Sequence, residues 1–508
     1  MTGSSFDFII VGAGAAGCVV ASRLSANPDV SVLLIEAGEG ASNPNIADPQ
    51  GFVSLWGSEL DWKISTEAQT GATGREILIN QGKVIGGSTS INALMWVRGN
   101  RRNFDEWAAQ GATGWGYDDL LPIFKKVEDF TGKLSPVHGE GGPVCVQPNP
   151  DPDSRSDAFL NGAVELGYDG PDWDYNGERQ ENGAGVLQFS ITRDNKRASS
   201  AQAYLDPASG RTNLTVITGA HVFRLDTEGS RVTGVSYSKD GQTHQVHVER
   251  EVVVCGGAFL SPKLLMLSGI GPAKHLSEVG IEVKADLPGV GQNLQDHLQL
   301  PVVYAGAAER PLPTLLTGNT MFVNTRTDRP DAPPDLQLNF TPAVPKPLAP
   351  VLNIPVPVGI FLPILIQPDS TGTLTLRSSD PNDAPRVHPN YLSEAADVQT
   401  FVKAIDLIRD IAGTKAMSEA YVAEVVPGRE ADLEGFIRSQ VTTIWHPAGT
   451  CRIGQDEQAV VDPQLRVRGF DNLRVADASV MPTVTSGNTQ AACFVIGERA
   501  ADLILNHS

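Results

Sequence analysis

Short apolar runs alternate along the chain with stretches of helical period, and the N-terminal residues already form a complete unit. Residues 6–11 are largely apolar and predict a strand. Gly12, Ala13, Gly14, Ala15, Ala16 and Gly17 follow, then a small-residue helix to about Ser25 and a second strand over 30–35, ended by Glu36. A second α/β piece is expected downstream: a strand over 252–255, a turn at Gly256-Gly257, and a helix from Ser261-Pro262 to Ser268. Serine at the N-cap, proline at the first helical position and Gly269 past the end each suit their places. The third piece is a strand over 473–476 with Asp477 at its end, followed by a loop and a helix from about Thr489 to Leu505. Three separated pieces thus build one nucleotide domain.

The intervening segments differ in character. Residues 211–254 read as several short strands, with period-two alternation over 231–237 and 244–248. Between 298 and 441, strands are expected around 301–304, 335–340, 359–366 and 372–376, and helical periodicity over 397–412 and 431–439. The simplest arrangement is a mainly antiparallel sheet with helices on one face. There is no internal repeat and no low-complexity tail. The uncharged stretch 347–368 carries prolines at 350, 355, 357 and 363, which break any helix crossing lipid, so it reads as an apolar loop plus a short strand.

The first unit carries the dinucleotide fingerprint. Gly12 permits a tight turn, Gly14 lets backbone approach a pyrophosphate, Gly17 lets helix and strand pack, and the helix N-terminus faces the phosphates. Glu36 is placed to accept from the ribose hydroxyls, and its charge disfavours a 2′-phosphate, so NADP is the least suited nucleotide.

Composition narrows the partners. The 508 residues hold 39 Lys plus Arg against 59 Asp plus Glu, a net charge of −20, which argues against nucleic acid and anionic lipid as partners. Hydrophobic residues at 41% and charged residues at 19% are ordinary globular values, and the length suits two or three domains at roughly 150 residues each. Five scattered cysteines without a CxxC pair indicate neither a zinc site nor a disulfide framework, and no metal is expected. Met-Thr-Gly-Ser-Ser runs straight into the first strand without a basic leader, so a cytoplasmic location is the default expectation.

Four ordered motifs resemble the glucose-methanol-choline (GMC) oxidoreductases, FAD-dependent alcohol oxidases and dehydrogenases, almost end to end. Besides the fingerprint they are 82–92 with Val97-Arg98-Gly99, 257–262 through 268–272, and His446-Pro447-Ala448-Gly449-Thr450 followed by 475–479 and Ser486-Gly487-Asn488-Thr489. The resemblance implies an α/β fold with a Rossmann-like FAD-binding domain (1–155, 197–297 and 442–508) and an α+β substrate domain on a mainly antiparallel sheet (156–196 and 298–441). It implies FAD contacts at Gly12, Gly14, Ala15, Ala16, Gly17, Glu36, Ala37, Gly82, Val84, Gly86, Gly87, Ser88, Asn92 and Ala93. Further contacts follow at Val222, Gly257, Asp477, Ala478, Thr489 and Gln490. Gly86 and Gly87 allow close backbone approach, and Ser88, Thr89 and Asn92 supply side-chain donors and acceptors. Some members attach FAD through a histidine in this segment. Here the corresponding position is Ile91, so non-covalent FAD is expected.

Expelling hydride from an alcohol carbon requires the hydroxyl proton to leave, so a base and an oxyanion partner must converge on one oxygen. His446 is the expected base, since a histidine near its usual pKa of about 6.5 is largely neutral at pH 7. Asn488 is the expected partner, its amide donating to the developing alkoxide, and the resemblance pairs the two over the flavin. Reduction leaves negative charge on the flavin ring, which the N-terminus of the last helix, near 488–490, is placed to offset. His297 is expected to make a structural hydrogen bond, His244 and His247 have no metal-binding partners nearby, and Trp445 either lines the site or packs.

Substrate selection falls to the second domain. The stretch 341–357, rich in Pro, Val and Leu, implies an apolar entrance that a neutral aromatic or aliphatic primary alcohol suits better than a sugar or a quaternary ammonium. The same loop would equally serve as core cover, subunit contact or membrane contact. Oxygen or another electron acceptor completes the cycle. The alternatives are a non-oxidative flavoprotein of the same fold (hydroxynitrile lyase or photodecarboxylase), a choline- or sugar-type dehydrogenase, and an NAD-linked dehydrogenase or nucleotide-binding module. His446 and Asn488 favour alcohol oxidation.

Overall fold

A computed structural model describes residues 5–154, 156–352 and 357–506. Residues 1–4, the expected domain boundary at 155 and part of the 341–357 entrance loop lie outside them.

The nucleotide half is a seven-stranded sheet. Its middle runs Gln242–Val254, Ser5–Val11, Val32–Ile35, Leu214–Ile217 in parallel, with Leu473–Val475 on the other side of Gln242–Val254. The first half of the 13-residue strand Gln242–Val254 also pairs antiparallel with Arg231–Lys239, which pairs with Ala220–Glu228, so a meander is fused to the parallel layer. Val32–Ile35 is buried throughout, as parallel strands covered on both faces are.

Helix Ala15–Leu24 follows the first strand and packs beside the last helix, Gln490–Leu505. A buried carboxylate fixes that neighbourhood: Glu498 accepts from Arg23 at 2.7 Å, Tyr204 at 2.8 Å and Lys126 at 2.8 Å. Satisfying it three times is what makes a fully buried charge tolerable there.

The second half is an eight-stranded, largely antiparallel sheet in the order Tyr421–Val426, Val302–Gly306, Val358–Leu365, Leu336–Thr341, Asn319–Val323, Gly183–Val186. Leu298–Gln299 bridges Val358–Leu365 to Thr442–Thr443. Leu338, Phe340 and Phe361 point to one face and pack with Phe401, Ile405 and Ile408 of helix Ala395–Ala412. The other face looks into the cavity described below.

Three expectations are corrected. The helix placed at Ser261-Pro262 begins at Gly257 and carries Pro262 inside it. It survives because the Ala258 carbonyl, which Pro262 cannot serve, accepts from the Thr450 hydroxyl at 2.6 Å, while Ser261 Oγ accepts from Gly256 N–H at 2.9 Å. The strand expected at 372–376 forms a separate hairpin, Thr373–Thr375 with Arg386–His388, outside the main sheet. Strands Gly183–Val186, Asn319–Val323 and Tyr421–Val426, which the alternation did not mark, complete the sheet. Among the described residues no helix is long and apolar enough to cross a membrane.

Candidate active site

Val11, Ile35 and Val254, the last residues of three parallel strands, open into a cavity of about 460 Å³ whose far wall is the antiparallel sheet. Ligands of open α/β sheets bind at this edge, and the volume suits a ligand site.

At the nucleotide end the wall includes Gly12, Gly14, Ala15, Ala16, Glu36, Ala37, Gly82, Gly87, Ser88, Val222 and Gly257. Gly17, Val84 and Gly86 do not reach it. A Cβ on Gly17 would sit 1.9 Å from the Gly12 carbonyl, so its role is to let helix and turn close up; Val84 is buried among Ile46, Leu55 and Leu60. Gly87 adopts φ +53, and a Cβ there would meet Gly14 Cα at 2.8 Å, so two separate loops meet backbone to backbone at this point. Helix Ala15–Leu24 begins at Gly14 with no side-chain cap, leaving its first N–H groups available for an anion. Glu36 accepts from Ala13 N–H and Gly38 N–H, both at 2.8 Å, and burial pushes its carboxyl up to about 7 against those donors. Phosphate-facing N–H groups beside a carboxylate fit an adenosine diphosphate moiety.

Toward the middle, Asn92, Ala93, Asp477, Ala478, Thr489 and Gln490 also line the cavity. Three of these side chains, Asn92, Gln490 and Asp477, are already committed inward. Asn92 Nδ2 donates to Gln490 Oε1 while its Oδ1 accepts from Arg197 at 2.8 Å. Asp477 accepts from Gly257 N–H at 2.9 Å, Ser261 Oγ at 2.5 Å and Ser479 N–H at 2.8 Å, clamping the helix start. Thr89 likewise turns to the Gly86 carbonyl at 2.6 Å. Ile91 is buried, its carbonyl accepting from Trp56 Nε1 at 2.9 Å.

At the other end His446 and Asn488 meet. Asn488 Nδ2 lies 3.2 Å from His446 Nε2, and a donating amide requires that nitrogen to be the bare acceptor. The proton then sits on Nδ1, which lies 3.0 Å from His297 Nδ1. The structural hydrogen bond expected of His297 is thus made to the His446 ring, with His297 Nδ1 as its acceptor. His297 Nε2 and Asn488 Oδ1 are buried without a hydrogen-bond partner. His446 opens only to the cavity, and burial pulls its pKa down to about 3. His297 is shifted well below the ordinary histidine range by burial and by the neighbouring His446.

Asp296 holds both histidines by their backbones. One carboxylate oxygen accepts from His297 N–H at 2.9 Å and His446 N–H at 2.8 Å; the other accepts from Tyr391 Oη at 2.5 Å and Thr443 Oγ1 at 2.6 Å. Burial raises its pKa to about 6. Trp445, at φ +66, makes the turn that aims His446 inward, and its ring meets Trp56 edge-on at 4.5 Å between centroids, so it both lines the cavity and packs. The readable signal for Asp296 was its place in Asn293-Leu294-Gln295-Asp296-His297; nothing local disclosed that it reaches residue 446.

The substrate side is otherwise Met95, Leu316, Pro345, Leu348, Ile360, Leu362 and Ile364, interrupted by Gln299, Asn339 and Thr341. Among the described residues the lining carboxylates are Glu36 and Asp477, both committed as described. Among the described residues no cluster is suited to a metal ion.

The chain is similar to known proteins along most of its length. Two family profiles, both described as GMC oxidoreductase, match residues 6–299 and 368–497. The chain is 38% identical to mitochondrial choline dehydrogenase of Homo sapiens over 98% of its own length and 89% of that protein. It is 37% identical to alcohol dehydrogenase [acceptor] of Pseudomonas putida, covering 98% and 96%. The solved structure of pyridoxine 4-oxidase from Mesorbium loti superposes with a TM-score of 0.91 at 33% identity, covering 99% of this chain and 100% of that one.

Proposed function

The chain belongs to the GMC oxidoreductases and is an FAD-dependent alcohol oxidoreductase, and from that premise we propose that it oxidises a neutral aromatic or aliphatic primary alcohol to the aldehyde, with His446 as base and Asn488 as oxyanion donor. The observation that carries the reading is the meeting of His446 Nε2 and Asn488 Nδ2 at 3.2 Å in the cavity wall, with the base's other nitrogen held by His297.

Bound FAD supplies the hydride acceptor at flavin N5. A substrate hydroxyl entering between the two side chains gives its proton to His446 Nε2 while Asn488 Nδ2 donates to the oxygen. The low basicity of His446 is consistent with this role: the ring is neutral before the reaction, and its imidazolium forms only beside the alkoxide whose charge offsets it. General-base removal of the proton contributes about 10²–10⁴ in rate, and one oxyanion donor about 2.7–4 kcal/mol. Helix Gln490–Leu505 starts at the cavity from Thr489 without a side-chain cap, placing free N–H groups and roughly half a positive charge there. Ile91 offers no nucleophile, which supports non-covalent attachment of FAD.

The wall supports a neutral substrate. A quaternary ammonium calls for an anion or an aromatic cage; among the described residues the substrate side carries no free carboxylate, and Trp56 and Trp445, which meet edge-on, form one corner of the wall rather than a closed cage. The test is anaerobic addition of benzylic, aliphatic, furanic and sugar alcohols and of choline to the yellow protein. Bleaching by a neutral benzylic or aliphatic alcohol, and not by choline, is expected. Preferential bleaching by choline would replace the substrate reading, and readmitting oxygen separates oxidase from acceptor-linked dehydrogenase.

A further inference from the structure

Strand Leu336–Thr341 has two unlike faces. Leu338 and Phe340 enter the apolar core, whereas Gln337 shares a face with Asn339 and Thr341, which line the cavity; all three are at most 2% exposed. Their cross-strand neighbours on Val358–Leu365 are apolar: Ile364, Leu362 and Ile360 respectively. Three polar side chains in the ceiling of an apolar chamber need partners, because burying an unpaired polar group costs stability.

Thr341 and the Gln337 amide nitrogen find partners within the sheet, while Gln337 Oε1 is buried without one among the described residues. Gln337 Nε2 donates to Asn339 Oδ1 at 3.1 Å and to Thr320 Oγ1 at 3.3 Å, and Thr341 Oγ1 donates to the Ala343 carbonyl at 2.9 Å. Asn339 is different. With Oδ1 taken by Gln337, its NH₂ is turned toward the cavity it lines, where its single partner is the Met95 thioether at 4.0 Å, a weak acceptor. A buried, oriented amide is thus left with donor capacity aimed into the space beside the reaction centre.

We propose that Asn339, oriented by Gln337, recognises an acceptor atom, such as an ether, carbonyl or ring nitrogen, carried by the substrate remote from the carbinol being oxidised. This rests on the alcohol-oxidation reading above and refines it: the substrate class is a neutral bifunctional alcohol, apolar in between. The sheet gives the spacing. Gln299 pairs with Thr442, whose strand leads to His446, and also with Ile364; Gln337 faces Ile364 one strand beyond, and Asn339 lies two residues further along that strand, roughly 12 Å from Gln299 at the usual strand and residue spacings. Asn339 is a specificity residue and takes no part in proton or hydride movement.

The test uses the FAD-loaded protein and pairs of alcohols differing by one atom: para-methoxybenzyl against para-ethylbenzyl alcohol, and methoxy-terminated alkanols of increasing length against their n-alkanol isosteres. Binding is read from the perturbed absorbance of the oxidised flavin, and reduction from its anaerobic bleaching. At one length the ether should bind about 10-fold or more tighter than its isostere, since a site built to hydrogen-bond discriminates strongly against an analogue lacking the group. Asn339→Leu should bring that ratio to about one with FAD content unchanged. Should Asn339→Leu fail to fold, Gln337→Met, which keeps Asn339 but frees its orientation, should still lower the ratio several-fold. The proposal is overturned if no pair exceeds a ratio of about two, or if the ratio survives the substitution. A preference in binding without bleaching would leave the anchor standing and sink alcohol oxidation; bleaching without preference would do the reverse.

Discussion

Replacing His297 with leucine isolates the contribution of a residue that is expected to touch no substrate. The native contact is His446 Nδ1–H to His297 Nδ1 at 3.0 Å, and His297 is fully buried. Leucine removes the acceptor while leaving the backbone N–H of residue 297 free to donate to Asp296 as before. Stranding a buried N–H costs about 1–3 kcal/mol, and the ring escapes that cost by moving its proton to Nε2, the position that must be bare to act as base. At about 1.4 kcal/mol per factor of ten, the competent tautomer loses roughly 5- to 150-fold. The assay is rapid-mixing anaerobic reduction, which separates the limiting rate from substrate affinity. We expect His297→Leu to slow the limiting rate about 10- to 100-fold with little change in binding, and His297→Asn, whose amide oxygen can accept, to recover much of it. A leucine variant that binds FAD normally and reduces it at the native rate would refute the tautomer argument.

Other consequences are equally measurable. Glu36 is pushed up to about 7 by burial before FAD binds, and ribose hydroxyls prefer the carboxylate, so binding must expel a proton at lower pH. FAD affinity should therefore weaken by up to about tenfold per unit as pH falls below 7, and Glu36→Gln should flatten that dependence in a fluorescence titration of apoprotein. His446, pulled down from 6.5 to about 3, stays neutral at every working pH, so the limiting reduction rate should be level from about pH 5 to 8. A limb near pH 6.5 that vanishes with His446 would contradict this. Gly87→Ala adds a methyl 2.8 Å from Gly14 Cα at φ +53; the backbone alone costs about 1–2 kcal/mol, and the protein should lose FAD and yellow colour before it loses its fold.

Much of this was legible because local physics and function coincide. Glycines at 12, 14 and 17, an acid ending the second strand, and an apolar first strand each act within a few residues of themselves, and they mark the nucleotide end directly. What was hidden depends on contacts across the chain. Asp296 and His446 are 150 residues apart, and His297 resembles any core histidine until the sheet Leu298–Gln299 with Thr442–Thr443 lays the two segments side by side. Pro262 read as a helix start because the Thr450 hydroxyl that compensates for it is 192 residues from the carbonyl it serves, that of Ala258. Gln337, Asn339 and Thr341 did show as polar residues alternating within an apolar strand, a pattern usually meaning a solvated face. Only the second domain's closure over the cavity turns that face inward.

The central claim is that His446 takes the proton from a neutral alcohol. The most direct measurement compares native protein and His446→Ala, both FAD-loaded, in anaerobic reduction by whichever neutral alcohol bleaches the native protein fastest. The account predicts prompt bleaching of the native flavin and a limiting rate about 10²- to 10⁴-fold lower in the variant at unchanged FAD content. Equal rates in the two proteins, or a native flavin that no alcohol reduces, would contradict it.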